Sequence, residues 1–89
     1  VTLAGEIDFS NAAGVLEQIR AEVSDRRPPA LRVDLTAVTF LDSSGIGVLV
    51  TVMKLAHARH AEFRVEHPSQ KVHDQLRMTG LLAVFGLDT

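Results

Sequence analysis

The sequence has no cysteine, no tryptophan and no tyrosine, and its aromatic residues are four phenylalanines. Without cysteine the chain has no disulfide framework and no thiolate chemistry, which suits a reducing compartment. Without tryptophan or tyrosine it has few of the aromatic platforms on which nucleic-acid bases stack. A formal net charge of −2 provides no electrostatic footprint for a phosphate backbone. These absences argue against direct binding to nucleic acid.

Long apolar runs are also missing. Although 46% of the residues are hydrophobic, no uninterrupted apolar run approaches the ~20 residues that a membrane span needs. We therefore expect a globular, soluble protein, and a single domain over residues 1–89. Because the chain begins at Val1 with neither an initiator methionine nor a basic leader, we expect it to be a piece of a longer polypeptide and not to start with a signal peptide.

In the first third of the chain, hydrophobic periodicity predicts a strand, a helix and a second strand. The first strand covers residues 1–5, and Ser10 is a plausible N-cap for the helix that follows. Apolar residues at helical spacing predict an amphipathic helix, which the proline pair at positions 28–29 ends. Apolar and charged residues then alternate over residues 31–35, a pattern typical of a half-buried strand.

The rest of the chain continues the same alternation. Residues 38–41 lead into a helix with apolar residues on nearly every face, which predicts a largely buried helix. A third strand follows over residues 63–65, Ser69 is suited to cap a third helix, and Gly80 is suited to end it. Residues 83–85 are predicted to form a last strand. The order β-α-β-α-β-α-β predicts an α/β fold with a mainly parallel sheet covered by helices.

The most informative segment is Asp42-Ser43-Ser44-Gly45-Ile46-Gly47, which joins an apolar strand to the buried helix. Functional sites of parallel sheets lie beyond the carboxyl ends of the strands. The segment Gly5-Glu6-Ile7-Asp8 ends the first strand in the same way. We therefore expect the two segments to be neighbours in space.

Local chemistry offers simpler roles for the same residues. Asp42 and Ser43 are both suited to be the helix N-cap, and the sequence leaves the choice open. Both serines of the motif can cap free N–H groups of the helix, and Asp8 can serve as a turn residue. Gly45 and Gly47 are predicted to let the helix start approach a sheet or a partner closely. They do not form a phosphate-binding G-x-G-x-x-G motif, because valine occupies its third glycine position.

Four segments together resemble a STAS domain, the module of bacterial anti-sigma factor antagonists and of the cytoplasmic tails of sulfate transporters. They are Gly5-Glu6-Ile7-Asp8, Val33-Asp34-Leu35, the run from Val38 through Gly47, and Met78-Thr79-Gly80-Leu81. Each segment is weak alone, but their order and spacing span nearly the whole chain. Members of the family usually have one more strand before the position of Val1 and one more helix after that of Thr89. The chain therefore resembles the core of a STAS domain.

In the antagonist branch, this resemblance implies a phosphorylation switch. The unphosphorylated domain binds an anti-sigma factor that is also a serine kinase, and thereby releases the sigma factor. The kinase, which holds the ATP, phosphorylates the serine that matches Ser43 and ends the binding, and a serine phosphatase resets it. The resemblance to this branch then implies a cytoplasmic domain without membrane contact, which is no enzyme and has no cofactor. The partner-binding residues implied are Asp8, Asp42, Ser43, Ser44 and Gly45, and the oligomeric state stays open.

Other roles stay open within the same family, and two outside it are disfavoured. Within the same family, the chain could be a regulatory subunit or tail of a membrane transporter, a scaffold domain of a sensory assembly, or a member that binds without being phosphorylated. An esterase-like enzyme is disfavoured, because neither serine of the motif lies in a G-x-S-x-G elbow. A metal site at His57 and His60, spaced i, i+3 on one predicted helix, lacks a cysteine or acid to complete it. Ile46 and Leu49 are expected in the core more than at a partner surface.

Overall fold

The computed structural model describes residues 1–87, in which three strands alternate with three helices. The strands are β1 (Thr2–Ile7), β2 (Ala30–Leu41) and β3 (Glu62–Glu66), and the helices are α1 (Ala12–Arg26), α2 (Ser43–Ala58) and α3 (Gln70–Met78). The sheet order is β1-β2-β3, and both strand pairs are parallel. This arrangement confirms the predicted α/β fold with a parallel sheet.

The core lies on one face of the sheet. Along β2, Leu31, Val33 and Leu35 are buried, whereas Arg32 and Thr36 on the other face are exposed. Helices α1 and α2 pack against each other, α2 contacts β2 and β3, and α3 contacts β2. Helix α2 is the central helix, as its apolar composition predicts, and its buried residues are Gly45, Val48, Leu49, Val52 and Ala56.

Strand β2 is one long strand, although the sequence pattern breaks between residues 35 and 38. Its register against β1 shifts twice by one residue, from Thr2 opposite Asp34 to Gly5 opposite Val38 and then to Ile7 opposite Leu41. Such shifts are β-bulges, in which one strand carries an extra residue. The bulges explain the interrupted alternation, and they bring the end of β2 level with the end of β1.

The predicted strand at residues 83–85 is wrong. This segment forms successive turns, in which the Phe85 N–H donates to the Leu81 carbonyl at 3.0 Å and the Leu87 N–H donates to the Leu82 carbonyl at 2.8 Å. Phe85 is fully buried, and its ring meets that of Phe63 edge-on at 5.9 Å between centroids. A buried turn and a buried strand are both encoded by a short apolar run, so the sequence pattern of residues 83–85 does not distinguish between the two.

One predicted helix cap is wrong and another is confirmed. The N-cap of α1 is Asn11, and the N–H and hydroxyl of Ser10 instead donate to the Asp8 carboxylate. Ser69 does cap α3 through its hydroxyl oxygen. The stop at Gly80 is also confirmed, because this residue follows the C-cap of α3 with a left-handed φ of 76°. Within residues 1–87, no helix combines the length and apolarity that crossing a bilayer requires.

Candidate functional site

The segments that end β1 and β2 are neighbours, as predicted. Ile7 lies opposite Leu41 in the sheet, and the Asp42 N–H donates to the Ile7 carbonyl at 3.2 Å. The Phe9 N–H donates to Oδ2 of Asp42 at 3.1 Å. The loop after β1 and the start of α2 are therefore joined at the carboxyl edge of the sheet.

Asp42 is the N-cap of α2. Its backbone is extended, and its Oδ1 accepts a hydrogen bond from the Gly45 N–H at 2.9 Å. The choice between Asp42 and Ser43, which the sequence leaves open, is thus decided for the aspartate. Because Oδ2 accepts the bond from Phe9, one carboxylate orders both the helix start and the neighbouring loop.

The two serines that follow do not cap the helix. Ser43 is the first residue of α2 and is exposed, whereas Ser44 is half-buried. In the part of the chain that the structure describes, neither hydroxyl takes part in a side-chain hydrogen bond, and the capping bond comes from Asp42. The structural interpretation of these serines as caps is therefore wrong. Ser43 is thus exposed, and its hydroxyl has no hydrogen-bond partner among residues 1–87.

Gly45 lies where α2 approaches the end of β1. A Cβ at this position would be 2.4 Å from the Ile7 carbonyl oxygen and 3.1 Å from Cδ2 of Leu41. The backbone carbonyl is fixed in the sheet, so this close approach requires glycine. Gly47 differs, because a Cβ there would have no atom of another element within 4 Å. Close approach to the sheet is thus confirmed for Gly45, whereas at the exposed Gly47 only the alternative, close approach to a partner, stays a prediction.

Asp8 organises the loop after β1. Its carboxylate accepts from the hydroxyl and the N–H of Ser10, and these two hydrogen bonds, the hydroxyl first, hold the pKa of Asp8 below its ordinary value. Asn11 closes the loop: its Oδ1 accepts from the Asp8 N–H at 3.0 Å, and its Nδ2 donates to the Glu6 carbonyl at 2.8 Å. The site therefore carries two carboxylates on an ordered edge, Asp8 and Asp42.

Gln75 of α3 supports this edge, and sequence reasoning missed it. Its Nε2 donates to the Leu41 carbonyl at 2.8 Å, and its Oε1 accepts from the Leu41 N–H at 3.2 Å. Strand β3 pairs with β2 from Ala30 to Asp34, so among the described residues no strand lies beside the end of β2 on that side. The glutamine amide satisfies the backbone of Leu41 in its place. A glutamine inside an amphipathic helix carries no sequence signal for such a role.

The histidines are not arranged as the metal hypothesis supposed. Helix α2 ends at Ala58, so His57 is helical, whereas His60 lies beyond the helix with a left-handed φ of 58°. The prediction that the two share one helix is wrong. Across residues 1–87, no three His, Asp or Glu side chains come together in a way that could hold a metal ion.

The comparisons with known proteins agree on one family. The family model described as STAS domain matches residues 1–89, the whole chain. An anti-sigma-B factor antagonist of Listeria monocytogenes is 33% identical over 81 residues, which cover 91% of this chain and 70% of that protein. An anti-sigma F factor antagonist of Paenibacillus polymyxa is 31% identical over 84 residues, with 94% and 72% covered.

A solved structure extends this similarity to the fold. The crystal structure of an anti-sigma factor antagonist from Mycobacterium paratuberculosis matches with a TM-score of 0.82 and 33% sequence identity. The match covers 94% of this chain and 70% of that one. The three matched proteins are all named as antagonists of anti-sigma factors.

Proposed function

This chain belongs to the STAS domain family, and on that premise we propose that it is an anti-sigma factor antagonist whose binding is switched by phosphorylation. Unphosphorylated, it binds an anti-sigma factor that is also a serine kinase, and the sigma factor is released in the cytoplasm. The kinase holds the ATP and transfers its γ-phosphoryl group to Oγ of Ser43, which loses its proton as ADP leaves. A serine phosphatase hydrolyses the phosphoester. The domain itself is a binding module without a cofactor.

The observation that carries this proposal is the state of the Ser43 hydroxyl. It is exposed at the first position of α2, and capping is done by Asp42. A kinase can therefore reach the hydroxyl without breaking a bond that holds the helix. The half-buried Ser44 is the less accessible neighbour. Supporting evidence comes from the relatives, whose names describe antagonists and not transporter components.

Within the domain, a phosphate on Ser43 meets opposing electrostatic effects. It adds about −1.5 to −2 charges, which the N-terminus of α2 favours by about 0.3 to 1 kcal/mol. The Asp42 carboxylate opposes it, since two unit charges ~4 Å apart repel by about 1 kcal/mol in bulk water and about 4 kcal/mol at an effective dielectric of 20. Because Asp42 is only half-buried, solvent screens this repulsion. We expect phosphorylation to leave the fold intact.

At a partner interface the balance is different. Burying a dianion that finds no cationic partner costs several kcal/mol, and only ~2.7 kcal/mol weakens binding 100-fold. Asp8 and Asp42 already place negative charge on the same edge. We propose that the partner contacts Asp8, Asp42, Ser43 and Ser44, while Gly45 allows the start of α2 to lie close to the end of β1.

The test incubates the protein with the anti-sigma factor kinases of its own organism and ATP, and maps phosphate by mass spectrometry. We expect one phosphate on Ser43, none in the Ser43→Ala variant, and full labelling of the Ser44→Ala variant. The complex with the kinase should form before the reaction and be lost after it. Backbone chemical-shift changes should stay near residues 42–45.

Three results would count against this scheme. Phosphate on Ser44 would overturn the choice of acceptor. Shift changes across the whole sheet would overturn the local mechanism. Failure of every cognate anti-sigma factor to bind the unmodified protein would overturn the function itself.

A further inference from the structure

Phe9 is an aromatic residue that the loop beside the start of α2 presents to solvent. It follows β1, and 83% of its surface is exposed. A single exposed apolar residue is common in folded proteins and needs no explanation by itself. Two further observations distinguish Phe9: the loop that carries it is tightly ordered, and its backbone is bonded to the residue before Ser43.

The order of the loop comes from the side chains around Phe9. Asp8 accepts two hydrogen bonds from Ser10, one residue beyond the phenylalanine. Asn11 bonds to the Asp8 N–H and to the Glu6 carbonyl. The Phe9 ring is thus held out on a backbone fixed from both sides. A loop whose backbone is already ordered loses little backbone entropy when it binds.

The link to the phosphorylation site runs through one carboxylate. Oδ2 of Asp42 accepts from the Phe9 N–H at 3.1 Å, and Oδ1 accepts from the Gly45 N–H at 2.9 Å. The side chain that caps the helix beginning at Ser43 therefore also positions the loop of Phe9. Phe9 therefore lies at the same edge of the sheet as Ser43, and Asp42 links the two residues.

We infer that Phe9 is the apolar anchor of the contact with the anti-sigma factor, and that it inserts its ring into an apolar pocket on that partner. The inference rests on the proposed function and adds a residue and a chemistry to it. Aromatic residues at the centre of an interface carry a large share of the binding energy, while near-neutral contacts around them exclude water. Here the ring supplies affinity, and the phosphate on Ser43 adds a charge at the rim of the same pocket.

The test compares Phe9→Ala with Val84→Ala, a control at another exposed apolar residue. Val84 is 49% exposed and precedes Phe85, whose ring contacts Phe63. Phe63 pairs with Leu31, at the opposite end of β2 from Asp42, so Val84 lies away from the proposed contact. Binding to the anti-sigma factor that recognises the unmodified protein is measured by calorimetry. We expect the Kd to rise by about 10- to 100-fold for Phe9→Ala, as for loss of a buried phenylalanine ring. Val84→Ala should stay within about twofold.

The kinase reaction provides a second readout. In this reaction the domain is the substrate of the kinase. If Phe9 contributes to binding the kinase without touching the reacting atoms, Phe9→Ala should raise KM for phosphorylation of Ser43 and leave kcat unchanged. Because the ring is exposed, the thermal midpoint of the variant should equal that of the unmodified protein. An unchanged Kd and KM for Phe9→Ala, with binding still abolished by Ser43→Asp, would overturn the anchor and leave the proposed function standing. Absence of binding by the unmodified protein would overturn both.

Discussion

At the start of α2, the lack of a side chain at Gly45 allows the helix to lie close to the sheet. A Cβ added at position 45 would lie 2.4 Å from the Ile7 carbonyl oxygen, which is closer than van der Waals contact allows. The same residue donates the N–H that Asp42 caps. Moving the helix outward to admit a side chain would therefore disturb the Asp42 carboxylate and, through it, the loop of Phe9.

We expect Gly45→Ala to destabilise the domain. Overpacking in a closely packed region costs about 1 to 3 kcal/mol, which exceeds the gain in helix propensity of up to about 1 kcal/mol for replacing glycine by alanine. For a domain of this size, each kcal/mol lowers the thermal midpoint by about 4 to 8 °C. Urea unfolding followed by circular dichroism measures the effect.

The matched control lies two residues further along the same helix. A Cβ at Gly47 meets no atom of another element within 4 Å, so Gly47→Ala should raise stability by up to about 1 kcal/mol. Opposite signs for the two variants are the expected outcome. Equal stabilisation by both would mean that the close approach to Ile7 does not constrain position 45.

At the scale of the elements, the end of β2 is completed by a helix side chain. Strand β3 stops pairing at Asp34, and the Gln75 amide makes both hydrogen bonds to Leu41. This position matters because Leu41 immediately precedes Asp42. The edge that carries the proposed switch is thereby held from two sides, by β1 and by α3.

We expect Gln75→Ala to cost about 1 to 3 kcal/mol, the penalty for leaving backbone groups without partners in a partly buried position. The Leu41 N–H should also exchange faster with solvent in native-state hydrogen-exchange experiments. Gln70→Ala on the same helix is the control. Gln70 is exposed, and within residues 1–87 its side chain bonds to Asp74 alone, an i, i+4 pair worth about 0.2 to 0.5 kcal/mol. A Leu41 exchange rate that Gln75→Ala leaves unchanged would contradict this role.

The same elements show what the sequence can and cannot predict. Periodicity identified the alternation of strands and helices, and local chemistry identified the cap at Ser69, because such signals lie within a few residues of one another. The bridge from Gln75 to Leu41 joins residues 34 positions apart, and no local pattern encodes it. The acceptor at Ser43 is predicted from the family resemblance, whereas its freedom from capping depends on the bond between Asp42 and the Gly45 N–H, which the sequence leaves open.

At the scale of the whole molecule, the segment after α3 closes the core without adding a strand. Phe85 is fully buried against Phe63, and Leu81, Leu82 and Leu87 pack against the same cluster. The turns that hold this segment are formed by its own backbone. Its contribution to stability is therefore made by side-chain burial and not by pairing with the sheet.

We expect Phe85→Ala to cost about 3 to 5 kcal/mol, the range for removing a buried phenylalanine ring. Against a total stability of about 5 to 15 kcal/mol for a natural domain, this loss removes a large share of the free energy of unfolding. Val84→Ala, at the exposed neighbouring position, should change stability by no more than about 0.5 kcal/mol. The measurement is urea unfolding of both variants. Similar small losses would show that the segment lies on the domain without belonging to its core, whereas a large loss confined to Phe85 would make these turns as much a part of the fold as the strands.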